Sequence, residues 1–408
     1  MRILGKMSNT KNTSFLKGQI SKISFNDIEA YLFAFCLFLL SSPFYVWNSI
    51  SPLIFVFICS LLAIKNIECA NPKHYAFFLA FFFVYLYMPF RDGLNIFGII
   101  ASVFVLTLLI MSSNFLNNVF KKYIFIYSIF LIPSIFVFLL VNFFGIDLPH
   151  LFIAPLNQLK LHNYVQYPFL VQDVILTGVP FPRFIGYYDE PGVIGTVSGI
   201  LLMCSGFNLK KKINIPIFIA GLLSFSFYFY GILLIYGFIF LRLKYKLIMA
   251  IVIMGIVILF SGNELFDRYI FDRFEYRDGK FAGDNRTVSD FDEWYKEFSK
   301  SNDYYYGLGA KAGQDYNVGG SSYKDIIVYY GIIFFDLLTA LFVLRAFSQL
   351  RFRKEFFLYL VILFSILYQR PVITNYFYLF LILAPVPFLS KSIIDDRVYT
   401  KKVYLKQE

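Results

Sequence analysis

The chain has 408 residues, of which 58% are hydrophobic, 21% aromatic and only 15% charged. A soluble domain averages about 45–50% apolar and about 25% charged residues, so this composition argues against a water-soluble enzyme and predicts a polytopic membrane protein. The net charge of +11 would favour nucleic-acid binding in a soluble protein, but in a membrane protein Lys and Arg collect in cytoplasmic loops. The four cysteines have neither disulfide nor zinc spacing, and the polar first 27 residues lack the apolar segment of a cleavable signal peptide.

Apolar runs that are candidates for membrane spans follow one another along the chain. A helix that crosses the hydrocarbon core needs about 20 residues, and interfacial aromatic residues extend the shorter runs. One run is longer, and lysines precede it while Arg242, Lys244 and Lys246 follow it. Both basic clusters are expected on the cytoplasmic side, so we divide this run near Ser224–Ser226 into two short, broken helices. The sequence thus predicts twelve spans from eleven runs: 28–47, 49–64, 75–90, 94–111, 123–144, 192–208, 213–241, 247–260, 326–344, 356–368 and 372–388.

The basic residues sort to one side of the predicted membrane. With twelve spans and a cytoplasmic amino terminus, 24 Lys and Arg fall inside and 13 outside, nine of them in one long outer loop. Long loops report orientation poorly, and without that loop the count is 24 against 4. We therefore predict an all-α polytopic integral membrane protein with about 12 transmembrane helices. Its parts are a cytoplasmic N-tail (1–27), transmembrane helices 1–9 (28–260, with an outer segment at 145–191), a large outer loop between spans 9 and 10 (261–325), transmembrane helices 10–12 (326–388) and a cytoplasmic C-tail (389–408).

The outer segment ends in the sequence PFPRFIGYYDEPGVIGT, residues 180–196. Pro191, with Asp189 and Glu190 ahead of it, marks a helix start, where carboxylates complement the positive end of the helix dipole. Capping alone could explain both acids. Arg183 needs another explanation, because it lies close to the start of a span, where an ionised group is costly and indicates a polar site.

The outer loop carries 13 acidic and 9 basic residues, and loops of this length are usually functional. Apolar residues four positions apart predict a short amphipathic helix over Glu264–Lys280. On this helix Arg273 and Arg277 share a face, and Arg268 can pair with Asp272. The arginines fit either the ordinary ion pairs of a solvated helix or a cluster that binds a diphosphate through bidentate contacts.

A second helix is predicted in the outer loop from about Val288 to Phe298. Its apolar stripe, which includes Trp294, is most simply a packing face, whereas Arg286 just before the helix is less easily explained by packing. Tyr304–Tyr305–Tyr306 follows. These rings could offer flat faces to sugars or belong to an interfacial aromatic belt.

Two sets of short motifs stand in a fixed order along the chain. The first is Arg183–Phe–Ile–Gly186 with Glu190–Pro191 at the start of a span. The second is Arg286, Trp294, Gly307–Leu–Gly309, Ser321–Ser–Tyr323 and Gly331. Together with the number of spans and the large late outer loop, these motifs resemble the bacterial O-antigen polymerase and ligase superfamily over most of the chain.

The resemblance implies a GT-C-like enzyme of the bacterial cytoplasmic (inner) membrane that acts at the periplasmic face on glycans carried by undecaprenyl diphosphate. Polymerases of the family transfer the growing glycan to a new lipid-linked repeat unit, whereas ligases transfer it to lipid A-core. The family's ligases carry a histidine where this chain aligns Gly320 and Ser321. The chain's histidines are His74, His150 and His162, so the motif favours a polymerase over a ligase. A chain-length-regulating copolymerase is an expected partner.

Site roles follow partly from this resemblance and partly from the chemistry. The resemblance implies that Arg183 and Arg286 hold the diphosphate, and a leaving diphosphate is stabilised by fixed cations, for which the further candidates are Arg268, Arg273, Arg277 and Arg370. A carboxylate would take the proton of the acceptor hydroxyl, with Glu190 the first candidate and Asp189 the second. Trp294 and Tyr304–Tyr306 are candidates for glycan binding. We predict no cofactor and no metal, since no nucleotide-sugar or DxD motif is evident on the outer side.

Other functions remain open at this stage. An O-antigen ligase shares both arginine motifs, and a flippase for lipid-linked repeat units has a similar length and number of spans. Flippases have short loops and charged residues within their spans, whereas here ionised residues concentrate in the loop 261–325. A structural membrane protein without catalysis is hard to reconcile with both motifs. The polymerase hypothesis requires that Arg183 and Arg286 meet in one wet hollow that opens outward.

Overall fold

The computed structural model describes residues 25–47, 51–67, 72–93, 96–155, 163–174, 182–260, 272, 275–277, 280–281, 289–309, 322–370 and 372–391. This part of the chain is mostly helical (74%). Its helices are α1 (Phe25–Leu40), α2 (Pro52–Lys65), α3 (Pro72–Arg91), α4 (Ile96–Ile110), α5 (Ser113–Asn142), α6 (Pro191–Cys204), α7 (Asn214–Leu223), α8 (Phe227–Phe240), α9 (Leu243–Phe260), α10 (Ser289–Phe298), α11 (Asp303–Tyr306), α12 (Tyr323–Leu350), α13 (Lys354–Gln369) and α14 (Tyr376–Leu383, which continues after a turn to Lys391).

Each of the twelve predicted spans coincides with a helix of the described chain. Helices α1–α9 and α12–α14 lie at the positions of these spans, and α10 and α11 lie in the predicted outer loop. That twelve helices cross a membrane stays a prediction. By length and composition, α5 and α12 are the two described helices that could cross a membrane. The fold is therefore compatible with a helical membrane protein.

The outward face of α5 is as apolar as its buried face. Phe125, Ile129, Ile132 and Phe136 follow one another at helical spacing and are each more than two-fifths exposed. A surface helix of a soluble protein would carry polar residues here, and a helix that is hydrophobic all round is typical of a membrane span. This pattern favours lipid as the surroundings of the helix bundle.

The long apolar run is broken where its flanking charges predict. Helix α7 ends at Leu223 and α8 begins at Phe227. Between them, Phe225 adopts a left-handed φ of 44°, and the Ser224 hydroxyl donates to the Gly221 carbonyl at 2.7 Å. The division of this run into two helices is thus confirmed.

Polar contacts between the helix ends fall into two groups. In one, which we call the Arg183 end, Arg370 pairs with Glu190 and the Tyr85 hydroxyl donates to the Ile373 carbonyl at 2.9 Å. In the other, which we call the Glu29 end, Glu29 pairs with Lys65. The twelve-span prediction assigns the helix ends of the Arg183 end to the outer side and those of the Glu29 end to the cytoplasmic side.

Small sheets add to the helices, which amends the all-α prediction. Strands β1 (Leu151–Ile153), β2 (Tyr164–Tyr167) and β3 (Leu170–Asp173) form an antiparallel sheet in strand order in the outer segment. In the outer loop, β4 (Tyr276–Arg277) pairs with β5 (Lys280–Phe281). The two sheets leave the helical architecture in place.

The hairpin β4–β5 corrects the predicted helix over Glu264–Lys280 at its carboxyl end. Asp278 and Gly279 separate the two strands, and Asp-Gly is a preferred pair for a two-residue hairpin loop. The helical spacing of apolar residues was therefore outweighed by a turn signal. Arg277 lies in a strand, so the predicted helix does not include it. Arg273 lies outside the described residues, so its part of the prediction stays untested.

Helix α12 is kinked at Gly331, whose φ is 85°. An added Cβ at this position would collide with the backbone carbonyl of Tyr305. Glycine is needed here for two reasons, since a left-handed φ disfavours a side chain and the backbone of α11 occupies the space.

We expect Gly331→Ala to lower the free energy of unfolding by about 1–3 kcal/mol, because it combines backbone strain with a clash. Gly231→Ala in α8 is the matched control, since no atom lies near its added Cβ. That change should raise stability by about 0.5–1 kcal/mol, as alanine does in a helix interior. Thermal unfolding of the two purified variants measures this, and equal melting temperatures would contradict the assigned kink.

Candidate functional site

The segment 182–190, which carries the first motif, is threaded into the helix bundle. Phe184, Ile185, Tyr187 and Tyr188 are fully buried. The amide of Val171 in β3 donates to the Gly186 carbonyl at 2.8 Å, and the amide of Phe44 donates to the Tyr187 carbonyl at 2.8 Å. Gly186 has a φ of 62°, which turns the chain within this segment. The motif is therefore held between the sheet and the loop after α1.

Arg183 binds the break between α7 and α8. Its Nε donates to the Ser224 carbonyl and its Nη2 to the Phe225 carbonyl, both at 3.0 Å. The amide of Phe184 donates to the Leu223 carbonyl at 2.9 Å. The last carbonyls of a helix have no hydrogen-bond donor within the helix. Inside a membrane, other protein groups or the water of a cavity must supply these donors. Arg183 and its neighbour supply these partners, so the motif caps the broken helix.

Helix α6 approaches the same break at Gly195. A Cβ on this residue would collide with the Ser226 side chain and lie 3.2 Å from the Ser224 hydroxyl oxygen. The absence of a side chain lets the helix that follows the motif pack directly on the break. The glycine in the sequence PGVIGT thus serves close packing.

Glu190 forms an ion pair with Arg370 across the bundle. Glu190 is the N-cap of α6, as the predicted helix start requires, but its side chain makes no capping hydrogen bond. The carboxylate instead meets the Nη2 of Arg370, the residue that follows α13. The Arg370 side chain is 13% exposed and that of Glu190 35% exposed. The pair lies at the rim of the Arg183 end.

Arg370 keeps its charge although it is largely buried. Burial by itself lowers the pKa of Arg370, but Tyr378, Glu190 and Asp189 more than offset it, and the net direction is upward. Asp189 therefore acts on the same cation as Glu190, and its backbone carbonyl accepts from the Tyr164 hydroxyl at 2.8 Å. The structure brings three predicted site residues together here: Asp189, Glu190 and Arg370.

The second motif folds around the kink of α12. The amides of Leu308 and Gly309 donate to the carbonyls of Val328 and Tyr329, each at 2.8 Å. An added Cβ on Gly307 would collide with the Tyr329 carbonyl. Gly307 thus lets the chain lie against the opened turn of α12, and the amides of Leu308 and Gly309 cover carbonyls of that turn.

The apolar stripe of α10 packs as predicted. Trp294 stacks on Phe298, with ring centroids 5.1 Å apart, and Tyr304 meets Phe298 edge to face. Burial raises the pKa of Tyr295 on the same face. Trp294 and Tyr304 therefore form part of a packed cluster, which is the simpler of the two readings for Trp294. The rings of Tyr305 and Tyr306 are more than half exposed and stay available to a glycan or an interface.

Sequence reasoning missed the end of α3 as part of this site. Arg91 donates through Nε and Nη2 to the Gly307 carbonyl, and the Tyr87 hydroxyl donates to the Tyr306 carbonyl at 2.5 Å. Asp92 accepts from the Tyr330 hydroxyl at 3.3 Å. A sequence feature could have identified this part of the site, because the charged residues Arg91 and Asp92 follow an otherwise apolar run.

Four predicted arginines cannot be placed in the site. Arg268, Arg273 and Arg286 lie outside the described residues, and for Arg277 only the strand backbone is described. The expected meeting of Arg183 with Arg286 therefore stays a prediction. Among the described residues, no group of three or more His, Cys, Asp or Glu side chains is arranged to hold a metal ion.

We expect Arg183→Gln to lower the free energy of unfolding by about 1–3 kcal/mol, because it leaves carbonyls at the helix break without their donors. Arg183→Lys keeps the charge but not the fork that reaches two carbonyls, so it should recover only part of the loss. Arg242→Gln, at an exposed position, is the control. Unfolding in detergent measures all three, and a wild-type melting temperature for Arg183→Gln would disprove the capping role.

Comparison with known proteins adds no relative to these observations. No family model, no curated protein sequence and no solved structure matches this chain. The site is therefore defined by its own geometry: a capped helix break, an ion pair at its rim and a loop held on a kinked helix.

Proposed function

We propose that this chain is a Wzy-type polymerase of O-antigen or a similar surface polysaccharide in the bacterial cytoplasmic membrane. Its donor is the growing glycan on undecaprenyl diphosphate, and its acceptor is a new lipid-linked repeat unit at the periplasmic face. The observation that carries the proposal is the Arg370–Glu190 ion pair. It unites the first motif with a late loop and places a largely buried cation beside a carboxylate that is 35% exposed.

The grouping of the helix ends supports an outward-facing site. The contacts of the Arg183 end join the outer segment, the break at Ser224–Ser226, and the loop after α13. The segment Gly307–Gly309 meets the end of α3, which the charge distribution also assigns to the outside. A lipid-linked glycan at the periplasmic face would reach these elements from the membrane.

The proposed reaction forms one glycosidic bond and breaks one bond to phosphate. The acceptor hydroxyl attacks the anomeric carbon of the donor glycan, and undecaprenyl diphosphate departs with the bonding electrons. Fixed cations stabilise the charge that develops on the leaving oxygen. Arg370, whose side chain is 13% exposed at the rim, is one described candidate, and Arg286 with Arg268, Arg273 and Arg277 remain the proposed cations of the outer loop.

In this proposal Arg370 exchanges one anion for another, and the exchange links diphosphate binding to the removal of the acceptor proton. In the structure Glu190 occupies the guanidinium, and a carboxylate held in this way is a weak base. A bound diphosphate would compete for the same donors, since guanidinium binds phosphate and carboxylate alike. Displacement would free Glu190 to take the acceptor proton. Asp189, which acts on the same cation, is the second candidate for this base.

In this scheme Arg183 holds the segment that carries Glu190 at the helix break. Two of its five N–H groups are used at the helix break. The resemblance implies that Arg183 also contacts the diphosphate, and its capping contacts would hold it in position. Loss of Arg183 would therefore affect both folding and catalysis.

We expect purified protein to lengthen defined undecaprenyl-diphosphate-linked repeat units with no other protein and no nucleotide sugar present. A strain that lacks the chain should carry single repeat units on its lipid A-core, because ligation continues without polymerisation. Silver-stained glycan gives this readout. Absence of any repeat unit on the core would favour a ligase or a flippase, and failure to polymerise in the purified assay would disprove the proposal.

We expect Glu190→Gln and Arg370→Gln each to reduce polymer yield at least about a hundredfold, the lower range for loss of an acid–base group. The double variant should remain inactive, because base and diphosphate cation are both lost. Recovery of long chains in the double variant would mean that the pair has only a structural role. Glu29→Gln, which breaks the ion pair at the opposite end, is the control and should keep chain length while it lowers the melting temperature.

A further inference from the structure

Three connections between helices are strongly basic. They are the stretches 205–213 between α6 and α7, 241–247 where α8 is followed by α9, and 350–355 where α12 is followed by α13. Each stretch contains three Lys or Arg residues, and Glu355 is the one acidic residue in the three together. Because like charges repel, the position of these stretches relative to one another decides whether they form one binding surface.

Aromatic contacts bring the three basic stretches together. The Tyr236 hydroxyl donates to the Gly206 carbonyl at 3.0 Å, and the Tyr236 ring stacks on the Phe240 ring with their centroids 4.7 Å apart. The ammonium group of Lys354 lies 5.4 Å from the centre of the Phe240 ring. Tyr236 and Phe240 at the end of α8 therefore join the first stretch to the second and the second to the third. We call this joint surface the basic patch.

The basic patch lies at the Glu29 end of the bundle. Near the end of α12, Arg345 donates through Nη1 to the Leu109 carbonyl at 3.2 Å, close to the end of α4. Just after α4, Met111 pairs with Ile67, which follows α2 and its ion pair with α1. The twelve-span prediction assigns this end to the cytoplasmic side. The cytoplasmic leaflet of a membrane carries anionic lipids, which attract basic segments beside a span.

Exposed apolar side chains lie among the cations of the basic patch. Leu243 and Phe352 each stand between two basic residues in sequence, and they are 72% and 78% exposed. Phe352 lies in a tight turn, since Arg351 has a left-handed φ of 55° and its carbonyl accepts from the Arg353 amide at 2.9 Å. Cations beside apolar side chains suit a membrane interface, where the first meet headgroups and the second enter the acyl region. An acidic protein or a nucleic acid would match the charge alone.

We infer that the basic patch binds the headgroup phosphates of anionic phospholipids and that Leu243 and Phe352 insert among their acyl chains. Lys and Arg bind phosphate oxygens through charge-assisted hydrogen bonds, and Arg does so with a planar fork of donors. The cations come from three stretches, so a lipid with two phosphates, such as cardiolipin, would contact more than one of them. No part of this inference involves glycan transfer, and it stands or falls independently of the proposed function.

Native mass spectrometry of the purified protein in detergent measures lipid binding directly. We expect cardiolipin and phosphatidylglycerol to bind more tightly than phosphatidylcholine, whose headgroup has no net charge. Three double variants each remove two charges from one stretch. They are Lys210→Gln with Lys211→Gln, Arg242→Gln with Lys244→Gln, and Arg351→Gln with Arg353→Gln. Each charge removed should weaken cardiolipin binding about fivefold, so each double variant should bind it roughly 25-fold more weakly.

The matched control removes two charges elsewhere. Lys296→Gln with Lys300→Gln changes two exposed residues of the outer loop and should keep the affinity of the wild-type protein for cardiolipin. The melting temperature in detergent without added lipid checks that all four double variants are folded. If cardiolipin and phosphatidylcholine bind alike, or if the control loses as much affinity as the three patch variants, the inference is wrong.

Phe352→Ser separates a lipid from a soluble anion, because it removes an apolar side chain and keeps every charge. We expect it to weaken the binding of phosphatidylglycerol about tenfold, the lower range for burial of a phenylalanine side chain. The water-soluble headgroup glycerophosphoglycerol should bind much more weakly than the whole lipid and should not distinguish this variant from the wild-type protein. Equal affinity for the headgroup and the lipid would mean that the patch takes a soluble phosphate or an acidic polypeptide, and would overturn the lipid assignment.

Discussion

The structure depends on how the broken helix between α7 and α8 satisfies its backbone. A helix that ends inside a bundle leaves carbonyls without partners, and burial makes each one costly. Arg183 and Phe184 provide the donors, and Gly195 lets α6 come close enough to cover the break. The motif that the resemblance assigns to substrate is therefore first a structural element.

This constraint positions the charged groups that follow it in sequence. Because Arg183 is fixed at the break and Gly186 turns the chain, Glu190 reaches the start of α6 with its carboxylate directed across the bundle to Arg370. The pair is partly buried, so removal of one partner leaves an uncompensated charge. Under the proposed function, an anionic ligand would replace the carboxylate at this rim, and Glu190 would close the site until that ligand arrives.

Much of the helical framework could be predicted from the sequence, and the reasons are physical. Apolar runs give the helices, and basic clusters on both sides of one run require a return crossing, which located the break near Ser224. The sheet of the outer segment and the hairpin at Tyr276 were missed, because short strands carry little periodic signal beside helical spacing. The partners of Arg183 could not be predicted either. They are main-chain carbonyls. Every residue has one, so the amino-acid sequence does not show which of them accepts a hydrogen bond from a side chain.

The double use of Arg183 has a consequence for any account of catalysis in this fold. A guanidinium that already binds two carbonyls is held in one orientation, so it loses little further entropy when it meets a ligand. Under the proposed function, the same contacts would tie ligand binding to the helix break, because a diphosphate bound by Arg183 would compete with the capping of α7. Glu190 and Arg370, at the far end of the same segment, would respond together. The helix break, the motif and the rim pair are thus connected through the segment 183–190, and under the proposed function a ligand bound at one of them would be felt at the other two.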